Sequence, residues 1–180
     1  MKNDKVKKLA LASMLSGLGV IVLLLGSFIE VLDLSAAMFA SMIILIAVIE
    51  AGKIWPWLTY FVTAVIALLL LPYKLPAVIY LFAGYYPIIK EKIEKLPKIF
   101  AWIIKFAAFN VSLALALVVF KLFLPAVSLE LIPGLKNVYT YLIYYVVGNI
   151  IFVLYDILLT RLVSFYIFKL RDRLRIGRKK

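Results

Sequence analysis

Six continuous apolar runs, separated by short polar links, fill most of the chain. A helix that crosses a bilayer needs about 20 mostly apolar residues, whereas the strands of a membrane barrel alternate apolar and polar positions. Because these runs are continuously apolar, their backbone must satisfy its own hydrogen bonds in lipid, as a helix does. The pattern predicts an all-α integral membrane protein, with six transmembrane helices in one bundle and a single domain over residues 1–180. The predicted helices span residues 9–29, 34–49, 54–71, 75–89, 99–120 and 139–160, and a basic extension follows over 161–180.

The composition supports a membrane location. Hydrophobic residues make up 66% of the 180 residues, and the mean hydropathy is +1.09. A soluble domain of this size would leave much of that apolar surface in contact with water. We therefore expect a multi-pass protein of the cell membrane whose main partner is the lipid bilayer.

Positive charge lies mostly on one side of the six runs. With the N-terminus placed inside, 17 of the 21 Lys and Arg residues fall in the N-terminal segment, the second and fourth links and the basic extension. The positive-inside rule then predicts that both termini are cytoplasmic. Topology and attraction to anionic lipid also account for the net charge of +12. No aromatic and basic surface accompanies these charges, so we do not expect nucleic acid as a partner.

Several kinds of chemistry are excluded by residue type. The chain has neither Cys nor His, which rules out thiol chemistry, thiolate or imidazole metal ligands and a Ser–His nucleophile pair. Tyr155 and Asp156 are similar to the tyrosine–aspartate pair of intramembrane aspartyl proteases, but the glycine–aspartate motif of those enzymes is absent. We predict that the chain is not an enzyme and holds no metal or cofactor.

Two ionisable residues lie inside the apolar runs. Lys105 is about six residues from the cytoplasmic edge of the fifth run, and Asp156 is about five residues from Arg161 in the sixth. Charges at membrane depth are costly and usually have a partner. An ion pair between Lys105 and Asp156 would explain both. The alternative is that Lys105 extends to the interface while Asp156 meets Arg161.

The sixth run carries polar and aromatic residues at spacings of three and four, which places them on one helical face that should look into the bundle. Asn110, near the middle of the fifth run, is placed to meet this face. Two interpretations are open, namely hydrogen bonds that fix helix packing and a pocket for a small molecule. The residues of this face are Tyr141, Tyr145, Asn149, Phe152, Asp156 and Thr160.

Small residues recur four apart in the first run, as Ala12 with Ser16 and as Ser13 with Gly17. Small faces let helix backbones approach closely. These pairs predict either packing within the fold or docking of a partner protein.

The six runs, the segment Ala12-Ser13-Met14-Leu15-Ser16 and the segment Gly84-Tyr85-Tyr86-Pro87-Ile88-Ile89-Lys90 resemble the substrate-binding S components of energy-coupling factor (ECF) vitamin transporters. The resemblance covers the whole chain in topology. It implies that the first helix docks on a membrane coupling subunit through an alanine-x-x-x-alanine motif, in which Ser16 here replaces the second alanine.

The resemblance also implies a ligand site in the outer half of the bundle, under the loops after helices one, three and five. The matching places are residues 30–33, Tyr73 with Lys74, and the long link up to residue 137. Together with the polar face, the expected binding residues are Tyr73, Lys74, Asn110, Tyr141, Tyr145 and Asn149.

The function implied in this way is the capture of a small nutrient from outside, which partner ATPase subunits would then help to import. Two alternatives remain. One is a non-catalytic structural or assembly protein of the cell envelope, and the other is a stand-alone small carrier.

Overall fold

The computed structural model describes residues 2–123 and 137–170. All regular elements within these ranges are helical, which confirms the all-α prediction. The helices are α1 (Lys2–Ser27), α2 (Asp33–Glu50), α3 (Trp55–Leu70), α4 (Leu75–Ala83), α5 (Tyr86–Ile93), α6 (Lys98–Phe123) and α7 (Asn137–Phe165). A 3-10 turn, Glu30–Leu32, precedes α2, and a π-helical turn, Tyr166–Leu170, continues α7. The long link over 124–136 and the tail over 171–180 lie outside the described residues.

Four of these segments are long and apolar enough to cross a membrane, which indicates a membrane location. They are Asp4–Ser27, Asp33–Glu50, Lys98–Val119 and Tyr145–Lys169. The third predicted span, α3, is apolar but has only 16 residues.

The fourth predicted span, residues 75–89, is not one helix. Gly84 closes α4 by donating its N–H to the Tyr80 carbonyl at 2.7 Å, and α5 begins two residues later. Pro87 lies in the first turn of α5, where its missing N–H is tolerated, but it cannot continue α4. The segment α5 then runs on to Ile93, so Lys90 lies inside a helix and is 2% exposed. The predicted fourth helix ends at residue 89 and so places Lys90 in the charged fourth link, and this placement is wrong.

The main core lies between α1, α2, α3 and α4. Small residues at the centre of α2, such as Ala37 and Ala40, are fully buried there beside Leu23 of α1, Ala64 of α3 and Tyr80 of α4. These small side chains let the helix backbones approach closely, so this part of the fold is densely packed.

Gly26 of α1 packs tightly against α2. A Cβ added at this glycine would lie 2.3 Å from the Cβ of Ala36. No pair of real Cβ atoms comes this close, so the crossing of the two helices requires glycine here.

A second, aromatic cluster joins α6 and α7 to the rest of the fold. Its buried residues include Tyr86 of α5 and Phe152 and Tyr155 of α7, and Phe109 of α6 packs against them. The rings of Phe109 and Phe152 stack with centroids 4.4 Å apart. Only 11% of the most apolar stretch of α6 is buried, against 50% of that of α2, so α6 packs at the edge of the fold.

Candidate functional site: an aromatic cavity beside buried charges

A cavity of about 230 Å³ lies between α2, α4, α5, α6 and α7. No charged side chain lines it among the residues that the structure describes. Small residues of three helices, Ala83, Ala116 and Gly148, leave the space open. Aromatic rings form much of its wall, and they belong to Phe82, Tyr85, Tyr86, Phe109, Phe152 and Tyr155. Apolar and aromatic walls with few polar groups are typical of small-molecule sites.

One polar pair lies in this wall. The Ser112 hydroxyl donates to the Ala108 carbonyl of the preceding helical turn at 2.9 Å. The Tyr85 hydroxyl forms a hydrogen bond with the Ser112 hydroxyl and lies 3.4 Å from the same carbonyl. Tyr85 at the break between α4 and α5 is thereby fixed to α6.

Four ionisable side chains meet beside the cavity, and we call them the charge cluster: Lys90 and Glu94 of α5, Lys105 of α6 and Asp156 of α7. Lys90 Nζ contacts Asp156 Oδ1 and lies 2.7 Å from Glu94 Oε1. Lys105 Nζ lies 3.0 Å from Asp156 Oδ2 and 3.4 Å from Glu94 Oε1. Two cations therefore meet two anions. This balance matters because Lys90, Lys105 and Asp156 are at most 5% exposed, and an unpaired charge at such a position is costly.

Two tyrosines line the cavity with their rings and use their hydroxyls in hydrogen bonds to other parts of the fold. The Tyr86 hydroxyl donates to Asp156 Oδ1 at 2.5 Å, while its ring packs against Phe152 and lines the cavity. The Tyr155 hydroxyl forms a 2.5 Å hydrogen bond with the Ser41 hydroxyl of α2, and its ring lines the cavity too. The polar ends of both side chains are engaged, so both present aromatic surface to the cavity.

The two charges expected to pair, Lys105 and Asp156, are in contact. Lys105 is 5% exposed, so it does not extend to an interface. Lys90 and Glu94 form further ion pairs with these two residues. The sequence did not predict that Lys90 and Glu94 belong to the cluster. Their signal is the spacing of four in Tyr86, Lys90 and Glu94, which puts all three on one face of a helix.

The polar face of α7 divides along its length. Phe152 and Asp156 point into the fold, as expected, but Tyr145 is 52% exposed and Thr160 is exposed too, so the prediction that this face looks inward is wrong at these two residues. Asn149 and Asn110 do meet, through reciprocal amide hydrogen bonds of 3.2 and 3.3 Å, as the packing interpretation expects. The side chain of Tyr141 lies outside the described residues.

The cavity does not use the expected binding residues. None of Tyr73, Lys74, Asn110, Tyr145 and Asn149 lines it. The stripe of α7 that does so consists of residues 148, 151, 152 and 155, on the neighbouring helical face. The polar pattern does not indicate this cavity, because a space inside an apolar bundle is enclosed by apolar side chains, which resemble the lipid-facing ones in sequence.

The small residues of α1 divide between two faces. Ala12 and Ser16 are buried, at 5% and 3% exposure, and the Ser16 hydroxyl lies 3.4 Å from the Thr59 carbonyl of α3. These two residues therefore pack within the fold and are not accessible to a partner. Ser13 and Gly17 are exposed, and no atom lies within 4 Å of a Cβ built at Gly17.

Comparison with family models, with curated proteins and with solved structures finds no match to this chain. A functional assignment therefore rests on the residues and their geometry.

Proposed function

We propose that the chain is the substrate-binding membrane subunit of an ECF-type uptake transporter, which captures a small molecule from outside. In this proposal it is a multi-pass protein of the cell membrane with both termini in the cytoplasm. The observation that carries the proposal is the cavity of about 230 Å³, lined by aromatic rings, within apolar helices of a chain that lacks Cys and His. Such a cavity suits binding of a small molecule better than catalysis.

The charge cluster supports a direction of access. With both termini cytoplasmic, α5 and the start of α6 belong to the cytoplasmic side, and Lys90, Glu94 and Lys105 lie there. The cluster would then close the inner end of the cavity by tying α5, α6 and α7 together. A ligand would enter from the opposite end, near Leu34 and Ala116, which also line the cavity.

The surface for a coupling subunit needs revision, because Ala12 and Ser16 are buried. Ser13 and Gly17 lie on the exposed side of α1, where small residues would let a partner helix approach closely. We propose that this face, and not the buried one, docks on the coupling subunit.

Affinity purification of the tagged chain from its native membrane, followed by mass spectrometry of proteins and small molecules, tests the function. The expected result is a membrane coupling protein, ATPase subunits and a retained small molecule. Gly17→Trp should remove the partner proteins and leave the small molecule in place. Leu25→Trp, which places the same side chain at an exposed position of the same helix, should remove neither.

Three results would contradict the proposal in different ways. Uptake of the retained molecule without any ATPase subunit would favour a stand-alone carrier. Recovery of neither a partner nor a small molecule would favour the structural or assembly protein. A transport complex that survives Gly17→Trp would place the docking surface elsewhere.

A further inference from the structure

The size of the cavity limits its occupant. An apolar cavity of about 150 Å³ inside a protein accommodates benzene. At the same packing, a cavity of about 230 Å³ holds roughly nine non-hydrogen atoms. The enclosed part of an occupant is therefore a little larger than a single six-membered ring, and the aromatic side chains of Phe82, Phe109 and Phe152 belong to the wall around it.

Among the described residues, no charged side chain lines the wall of the cavity. The carboxylate of Asp156, which follows the lining residue Tyr155 in the chain, accepts hydrogen bonds from Tyr86, Lys90 and Lys105. Both lysines also face Glu94. A charged occupant would lose its hydration without gaining an opposite charge from the described lining residues, which costs several kcal/mol. An uncharged occupant does not pay this penalty.

The polar pair in the wall determines whether an occupant can donate or accept a hydrogen bond there. The hydroxyls of Tyr85 and Ser112 carry one hydrogen each, and these two hydrogens serve their mutual bond and the bond to the Ala108 carbonyl. Neither hydroxyl retains a hydrogen for an occupant, whereas lone pairs remain on the oxygens. These two oxygens therefore act toward an occupant as hydrogen-bond acceptors.

We propose that the cavity binds an uncharged aromatic molecule, of about nine non-hydrogen atoms, that donates one hydrogen bond to Tyr85. The proposal rests on the proposed function only in taking the cavity as the site of the captured molecule. It adds the chemical class of that molecule and the residue that selects it.

Four probes of similar size separate the requirements. Indole is uncharged, aromatic and has one N–H, and benzofuran has the same shape without the donor. Benzoate and benzamidinium are single-ring compounds with a negative and a positive charge. Each is titrated by calorimetry into the full chain in phospholipid nanodiscs, with empty nanodiscs as the reference because indole partitions into lipid.

The expected result is saturable binding of indole, weaker binding of benzofuran by about fivefold to tenfold, and no detectable binding of either ion. Tyr85→Phe should bring indole down to the affinity of benzofuran. Tyr145→Phe is the matched control, because this exposed tyrosine does not line the cavity, and it should change neither affinity.

Filling the cavity should remove binding altogether. Ala116 of α6 lines the cavity, whereas Ala114 of the same helix is exposed. Ala116→Phe should abolish indole binding, and Ala114→Phe should leave it unchanged. Gly148→Leu fills the same space from α7, where a Cβ meets only ordinary contacts of 3.5 Å or more, and serves if Ala116→Phe fails to fold.

The proposal is overturned if either ion binds more tightly than indole, if benzofuran binds as well as indole, or if no probe binds saturably. It is also overturned if indole binding survives Gly148→Leu. These results differ from failure of the proposed function. A purified ATPase complex that retains a charged molecule would refute only the proposed chemical class of the occupant. Selective indole binding by a chain without ATPase partners would refute only the proposed function as a transporter subunit.

Discussion

The hydroxyl of Tyr86 donates a 2.5 Å hydrogen bond to Oδ1 of Asp156, while the ring of the same side chain lines the cavity. One residue at the start of a short helix therefore contacts both the apolar site and the buried charges. An occupant that displaced this ring would also change the hydrogen bonding of Asp156. The cavity and the charge cluster form one structural unit.

Tyr86→Phe tests this connection. The ring stays, so the cavity keeps its wall, but Asp156 loses one of its donors. We expect the free energy of unfolding to fall by about 1–2 kcal/mol, measured by denaturant titration in detergent. Tyr145→Phe, which removes an exposed hydroxyl, should change it by less than about 0.5 kcal/mol. Equal effects of the two changes would show that the Tyr86 hydrogen bond contributes no more to the free energy of unfolding than an exposed hydroxyl does.

Lys105 and Asp156 should show strong coupling. Lys105→Met or Asp156→Asn alone leaves an excess charge in a buried place, and we expect each to lower the free energy of unfolding by about 2–4 kcal/mol. The double variant keeps Lys90 opposite Glu94, so its loss should be clearly smaller than the sum. The comparison is a double-mutant cycle, measured by the same denaturant titration in detergent.

The exposed pair of Lys95 and Glu91, with 3.3 Å between Nζ and Oε1, provides the control for that cycle. Lys95→Met and Glu91→Gln should each have a small effect, and the two effects should add. Additive losses at Lys105 and Asp156 as well would refute the coupling.

Gly26 and Gly17 allow the same substitution at two sites in α1. Gly26→Ala would bring two Cβ atoms to 2.3 Å, so the helices must separate. We expect a loss of about 2 kcal/mol in the free energy of unfolding, in the range that overpacking produces. Gly17→Ala has free space and a better helix former, so it should be neutral or stabilise by up to about 1 kcal/mol. If both variants have the same stability, α1 and α2 do not cross at Gly26.

Lys53 has a backbone φ of 54°, in the left-handed region that side chains with a Cβ disfavour. Lys53→Gly relieves this strain, whereas Lys53→Ala removes the same charge and keeps the strain. We expect the glycine variant to be more stable than the alanine variant by about 0.5–1 kcal/mol, as read from thermal unfolding. The reverse order would mean that the turn over 51–54 has another conformation.

The proposed topology is testable because the chain has no native cysteine. Val31→Cys, at a position 89% exposed next to α2, should react with a membrane-impermeant maleimide added to intact cells. Lys95→Cys, also exposed, should react only after the cells are opened. Asp33 is a poor labelling site because it is 5% exposed. Labelling of Lys95→Cys in intact cells would reverse the orientation.

The apolar runs predict five of the helices to within several residues, since run length and continuous hydropathy alone determine a helix in lipid. The failure at residues 75–89 has a local cause, because the run contains Gly84 and Pro87 and the hydropathy pattern does not register backbone breaks. The same failure concealed Lys90, which was assigned to a loop because it follows the last apolar residue.

The site was harder to predict than the fold. The pairing of Lys105 with Asp156 followed from their similar depth on two sequential runs, and depth can be read from positions along the sequence. The cavity depends instead on which of several apolar faces is left unfilled by Ala83, Ala116 and Gly148, and that requires the packing of five helices. Polar residues such as Tyr145 attracted attention because they differ from their neighbours in sequence, not because they line a space.

The equal numbers of cations and anions in the charge cluster bear on energetics beyond folding. Moving one elementary charge through a membrane potential of about 100 mV takes or releases about 2.3 kcal/mol. Since Lys90, Lys105, Glu94 and Asp156 sum to zero, α5, α6 and α7 could shift together across a bilayer without electrical work on these groups. These four groups would then contribute no gating current to such a shift, which electrophysiological recording could check.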